Sequence, residues 1–148
     1  MVSIGSPAPL FNTTNQDGNA VSLANFKGQK VVLYFYPKDN TPTCTTQACN
    51  LRDNYNAFLA KGYVVLGISP DSEKSHGKFI AKHQLPFTLL VDTDAQIAQQ
   101  YGVWQLKKMM GKEYMGIVRT TFVIDEAGNI AQIISQVKSS DHATQILG

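Results

Sequence analysis

The sequence predicts an α/β fold built on one central sheet flanked by helices. Three observations carry that expectation. Apolar runs rich in β-branched residues alternate with segments of helical period. The runs are nearly continuous in apolar character, as strands covered on both faces are. The final two runs are joined by the turn Glu126-Ala127-Gly128-Asn129, so a hairpin closes the sheet and makes it mixed.

The elements follow in order. Leu10–Leu23 carries an Asp17-Gly18 turn and predicts a small N-terminal hairpin. Lys30–Tyr36 (KVVLYFY) is the first buried strand. Pro42–Lys61 has a helical pattern, with Thr41 at the N-cap and Pro42 at the first helical position. Tyr63–Ser69 (YVVLGIS) and Thr88–Asp92 (TLLVD) are further strands, separated by a helix over Asp71–His83. A helix over Asp94–Tyr101 comes next. Trp104–Met115, rich in Lys, Met and Gly, reads as a loop. Ile117–Asp125 (IVRTTFVID) and Ile130–Val137 (IAQIISQV) form the hairpin, and Ser139–Leu147 a short closing helix. Strand-to-helix crossings at the front imply parallel pairing. Such folds place ligands at the carboxyl ends of strands. The first such end is Tyr36-Pro37.

At 148 residues the chain reads as one domain, 1–148, with room for a real core. Hydrophobic residues make up 43% and charged residues 16%, a globular balance rather than a disordered one. Thirteen basic against 11 acidic residues leave +2, too little to argue for nucleic acid or an anionic membrane. No apolar run is long enough to span a bilayer. Met1–Leu10 lacks the basic and apolar regions of a secretory signal, so a cytoplasmic protein is expected. Two cysteines, Cys44 and Cys49, are too few for a disulfide scaffold. Three scattered His add little toward structural zinc, and His76 and His83 read as solvated surface. No metal or cofactor is called for. Met109, Met110 and Met115 read as loop packing, and Trp104 as core or a surface anchor.

Cys44 falls in the first turn of the helix that follows the first strand. A Thr41 cap would bond the backbone N–H at that position, and the positive end of the helix dipole favours thiolate over thiol. At 100° per residue, Ala48, Leu51, Tyr55, Phe58 and Leu59 lie within about 60° of Cys44, which places it on the core-facing stripe. Cys49 lies about 140° away, beside Arg52 and Asp53. Five helical residues separate the two Cα atoms by about 8.7 Å. A disulfide needs about 4.4–6.8 Å. Either the two never pair, or pairing unwinds the first turns of the helix, which suits a redox cycle better than static bracing.

Arg119 interrupts an apolar strand, and a charge there needs a partner. A thiolate at the sheet's ligand end is one; Asp53 or solvent is another. Pro37 either ends the strand or shields the thiolate from water. Thr41 caps the helix, and capping is compatible with holding a substrate oxygen.

The string Tyr36–Asp53 (YPKDNTPTCTTQACNLRD), with its Pro37-x-x-x-Thr41-x-x-Cys44 core, resembles the peroxiredoxins, in particular the bacterioferritin comigratory protein or PrxQ subfamily. The likeness continues through Gly67–Asp71, Pro86-Phe87, Tyr101–Trp104 and Gly116–Asp125. It implies a thioredoxin-like fold and thiol peroxidase activity on hydrogen peroxide and organic hydroperoxides. Carried over by position, Cys44 is the peroxidatic cysteine, Thr41 and Arg119 hold peroxide and thiolate, and Pro37 is the shielding proline. The backbone N–H groups of Cys44 and Thr43 bind peroxide oxygen, and Cys49 is the resolving cysteine. The resemblance implies reduction by thioredoxin or a similar dithiol donor, and a monomer. Many relatives have Gly in place of Thr43 and Glu in place of Gln47. Two other classes stay open on the residues alone. One is a protein-disulfide oxidoreductase, although that chemistry uses Cys-x-x-Cys and the spacing here is Cys-x₄-Cys; the other is a binding domain with inert cysteines.

Overall fold

The computed structural model describes residues 2–148; the first residue of the Met1–Leu10 stretch lies outside them. A five-stranded sheet forms the centre, in the order β5-β4-β3-β8-β9. Strands β3 (Lys30–Phe35), β4 (Tyr63–Ser69) and β5 (Thr88–Val91) run parallel. Strand β8 (Thr120–Ile124) pairs antiparallel with β3, and β9 (Ile130–Ile134) antiparallel with β8. The sheet is therefore mixed, and β3, its middle strand, is buried at every position but the first. The N-terminal hairpin is β1 (Asn12–Thr14) with β2 (Ala20–Ser22).

Period-two alternation in β3 divides the core. Val31, Leu33 and Phe35 face a cluster with Phe11, Leu23, Ala98 and Tyr101. Val32, Tyr34 and Tyr36 face the opposite cluster. There they meet Cys44, Ala48 and Leu51 of α1 (Pro42–Asp53), Phe58 of α2 (Tyr55–Ala60), Phe79 of α3 (Glu73–His83), and Ala143 and Ile146 of α5 (His142–Leu147). Each large side chain buried this way contributes about 1.5–3 kcal/mol. Helix α4 (Gln96–Gln100) covers the first cluster. Its start is held by Asp92, whose carboxylate accepts the N–H groups of Ile97 and Ala98, each at 3.0 Å.

Three expectations need correction. The long helix over Pro42–Lys61 is two helices, because Asn54 leaves helical geometry (φ −109°, ψ 12°). The break resets the phase: Phe58 remains fully buried, but Leu59 is 52% exposed instead of sharing the Cys44 stripe.

The stretch read as a loop is a hairpin of β6 (Trp104–Met109) and β7 (Lys112–Ile117). Its two-residue turn is Met110-Gly111, with φ of 51° and 80°. Both central residues at positive φ are what a type I′ hairpin turn requires, but Met stands where Asn or Asp would have signalled it. Finally, Ile117–Asp125 is not one strand. β7 ends at Ile117 and β8 begins at Thr120, which leaves Val118 and Arg119 in the gap.

Candidate active site

Helix α1 starts six residues beyond Tyr36, at the carboxyl end of the central strand. Thr41 takes extended geometry (φ −89°, ψ 156°) and Pro42 supplies the fixed first helical φ. The expected cap bond to Cys44 is absent; the Thr41 hydroxyl donates to Lys38 O at 3.2 Å. That bond ties the helix start back onto the loop after β3. The first helix-closing bond runs from Thr45 N–H to Thr41 O at 2.8 Å. The N–H groups of Thr43 and Cys44 precede it, at the end where a helix leaves donors free and carries positive partial charge.

Cys44 is 2% exposed and packs with Val32, Tyr34, Tyr36 and Ala48. Arg119 reaches its sulfur: Nη2 donates to Cys44 Sγ at 3.1 Å. Nη1 donates to Gln47 Oε1 at 2.6 Å. The topology explains the meeting. Because β8 runs antiparallel to β3, its first residue, Thr120, lies opposite Phe35. Arg119, just before β8, therefore stands where β3 hands over to α1. Of the partners open to Arg119 in the sequence, the thiol is the one it has; Asp53 pairs with Arg52 at 2.9 Å instead. Gln47 lies one helical turn beyond Cys44, is fully buried, and fixes the guanidinium. Its Nε2 has no partner among the described residues.

Pro37 is half-buried directly after Tyr36, and Thr43 is exposed on the first turn of α1. Cys49 is half-buried, and both cysteines are free thiols. The sulfur of Cys49 lies 3.9 Å from Nδ1 of His83 at the end of α3.

The sequence reading missed a buried polar cluster under the loop. The carboxylate of Asp39 accepts Tyr36 Oη at 2.5 Å, Ser75 Oγ at 2.8 Å and His76 Nδ1 at 2.7 Å. His76 Nε2 meets Leu90 O at 2.8 Å. His76 is fully buried, not solvated. The available signal was its helical phase with Phe79 and Ile80, which puts it on the stripe of α3 that packs inward. Burial, reinforced by the neighbouring Tyr34 phenol and the Asp39 carboxylate, holds the Tyr36 hydroxyl well above its ordinary range, so it serves as a donor. Tyr34, stacked on Tyr36, is held up in the same way by burial and by the charges of Asp39 and Cys44.

A buried cysteine under a guanidinium, at the start of a helix on a thioredoxin-like sheet, defines a class of protein: the peroxiredoxins, which are peroxidase oxidoreductases. The AhpC/TSA family model matches residues 4–133. The chain belongs to the AhpC/TSA family, in its bacterioferritin comigratory protein or PrxQ branch. Peroxiredoxin Bcp of Bacillus subtilis is 48% identical over 146 residues, covering 99% of this chain and 93% of the relative. A crystal structure of a cysteine-to-serine mutant of Xylella fastidiosa PrxQ superposes with a TM-score of 0.93 at 33% identity, covering 99% and 94% of the two chains. The Xanthomonas campestris bacterioferritin comigratory protein, studied for alkyl peroxide reduction, gives 0.90 at 33% identity, with 98% and 95% covered. Among the described residues no helix is long and apolar enough to cross a membrane.

Proposed function

We propose that this peroxidase works as a single domain through Cys44 as peroxidatic and Cys49 as resolving cysteine. The Cys44 thiolate attacks one oxygen of hydrogen peroxide or an organic hydroperoxide. The S–O bond forms, the O–O bond breaks, and water or alcohol leaves. Arg119 and the free N–H groups of Thr43 and Cys44 stabilise the charge that develops as O–O cleaves. Thr41 holds the peroxide and Pro37 limits water. The first turns of α1 then open, and Cys49 attacks the sulfenic acid to give an intramolecular disulfide and water. Thioredoxin or a similar dithiol donor restores both thiols. The enzyme acts as a monomer in the cytoplasm.

The observation that carries this reading is the 3.1 Å contact of Arg119 Nη2 with Cys44 Sγ at the start of α1. The test is peroxide consumption with a thioredoxin regenerating system. Cys44→Ser is expected to abolish turnover; retained turnover rejects Cys44 as the reacting residue. Cys49→Ser is expected to react once and stall as sulfenic acid. Normal cycling of that variant with thioredoxin rejects Cys49 as the resolver.

A further inference from the structure

Resolution requires Cys49 to attack as a thiolate, yet an ordinary thiol, with a pKa of about 8.5, is only about 3% ionised at pH 7. We propose that His83 is the general base that takes the proton of Cys49. The inference rests on Cys49 being the resolving cysteine.

Three observations point to it. His83 Nδ1 lies 3.9 Å from Cys49 Sγ. Nε2 is buried with no partner among the described residues, so the thiol is the ring's one polar contact there. The ring is also held in place. It packs edge-on against Phe79, with centroids 5.2 Å apart, and Arg52 Nη1 donates to the His83 carbonyl at 2.8 Å.

The other charged and titratable groups around the pair leave this role to His83. Arg52 is bonded to Asp53, and Asp53 to Arg52, from α1. Lys82 of α3 donates to Asn40 Oδ1 at 3.2 Å. Tyr34 of β3 is a phenol kept protonated by burial. On the open side Cys49 is bordered by Thr45, Thr46, Asn50 and Ser140, none of which titrates, and by Asp53, whose carboxylate is held by Arg52.

The step balances. The Cys49 S–H proton passes to His83 Nδ1 while α1 is intact. Opening of α1 carries the thiolate to Cys44, where its lone pair attacks the sulfenic sulfur. The S–S bond forms, the S–O bond breaks, and the departing hydroxide leaves as water with a proton from solvent, to which the imidazolium returns its own. His83 thus ends unchanged.

The gain available is bounded by the ionised fraction, at most about thirtyfold at pH 7. The test follows the sulfenic-to-disulfide step after one equivalent of hydrogen peroxide, from pH 6 to 10, in wild type and His83→Gln. Expected is a resolution rate about tenfold lower in the variant at pH 7, converging with wild type above about pH 9.5, where the thiol ionises unaided. Alkylation of Cys49 in a Cys44→Ser background, with and without His83→Gln, reads thiolate directly and is expected to show the same pH-dependent gap. Equal rates at pH 7, or a loss of the same size at every pH, overturn the base role. If wild type forms no Cys44–Cys49 disulfide at all, the parent reading falls with it. If the disulfide forms at a rate indifferent to His83, only the present inference falls.

Discussion

Replacing Arg119 by Met removes the guanidinium while keeping a similar apolar stem. A unit charge 3.1 Å from the Cys44 sulfur is worth about 1.3 kcal/mol at the dielectric of water and about 5 kcal/mol at an effective dielectric of 20. Arg119 is half-buried and Cys44 2% exposed, so the site sits between those limits. At about 1.4 kcal/mol per power of ten, the second-order rate with hydrogen peroxide is expected to fall about 10²- to 10³-fold. A second loss is separable. Gln47 Oε1 loses its donor, and its Nε2 already has no partner among the described residues. A fully buried amide left unpaired costs about 1–3 kcal/mol of stability. Arg119→Met with Gln47→Leu replaces both partners by apolar groups, so it is expected to recover stability without recovering rate. Stopped-flow kinetics, thiolate absorbance against pH, and urea denaturation measure the three quantities. Wild-type kinetics with an unchanged thiolate titration in Arg119→Met would refute the electrostatic reasoning.

Other predictions test the frame around the site. Burial, followed by the charge of Arg119, lowers the pKa of His142 from 6.5 against a raising contribution from its bond to Gln145. Its folded state therefore binds fewer protons than the unfolded chain. The contribution is fully present above about pH 6.5 and is lost as pH falls through the lower folded value. His142→Gln is expected to flatten the acid limb of a stability–pH curve; an unchanged limb assigns the acid sensitivity elsewhere. His76→Ala removes a partner of the Asp39 carboxylate and leaves a cavity, for an expected loss of about 2–5 kcal/mol by urea denaturation. A loss under 1 kcal/mol would show that the cluster does not brace the loop. Gly67→Ala would set a Cβ 2.7 Å from Leu89 Cδ2 and 2.8 Å from Tyr34 Cζ, so a penalty of about 1–3 kcal/mol is expected in thermal unfolding. A neutral effect would mean that Tyr34 shifts freely.

The parts of the fold legible in the sequence are those where burial and period agree. Tyr63–Ser69 forms a strand over the very residues the apolar run marks, and Lys30–Tyr36 differs from β3 by one. The β6–β7 hairpin was hidden because most of its side chains are exposed, so no apolar alternation marks it. Cys44 was legible because local cues, Thr41-Pro42 and helical phase, suffice to place it. Arg119 was legible as an anomaly, but its partner depends on which way β8 runs against β3, which no local pattern encodes. Gln47 and His76 take their roles from contacts across 72 and 37 residues, respectively, and side-chain type alone does not reveal such pairings.

The 75 residues between Cys44 and Arg119 also order events in time. At about 5–20 residues per second, synthesis brings out the cysteine about 4–15 s before the arginine. Throughout that interval the emerging chain carries Cys44 without its guanidinium. The guanidinium reaches the thiol only when β8 closes against β3, so that one strand pairing assembles the Arg119–Cys44 contact.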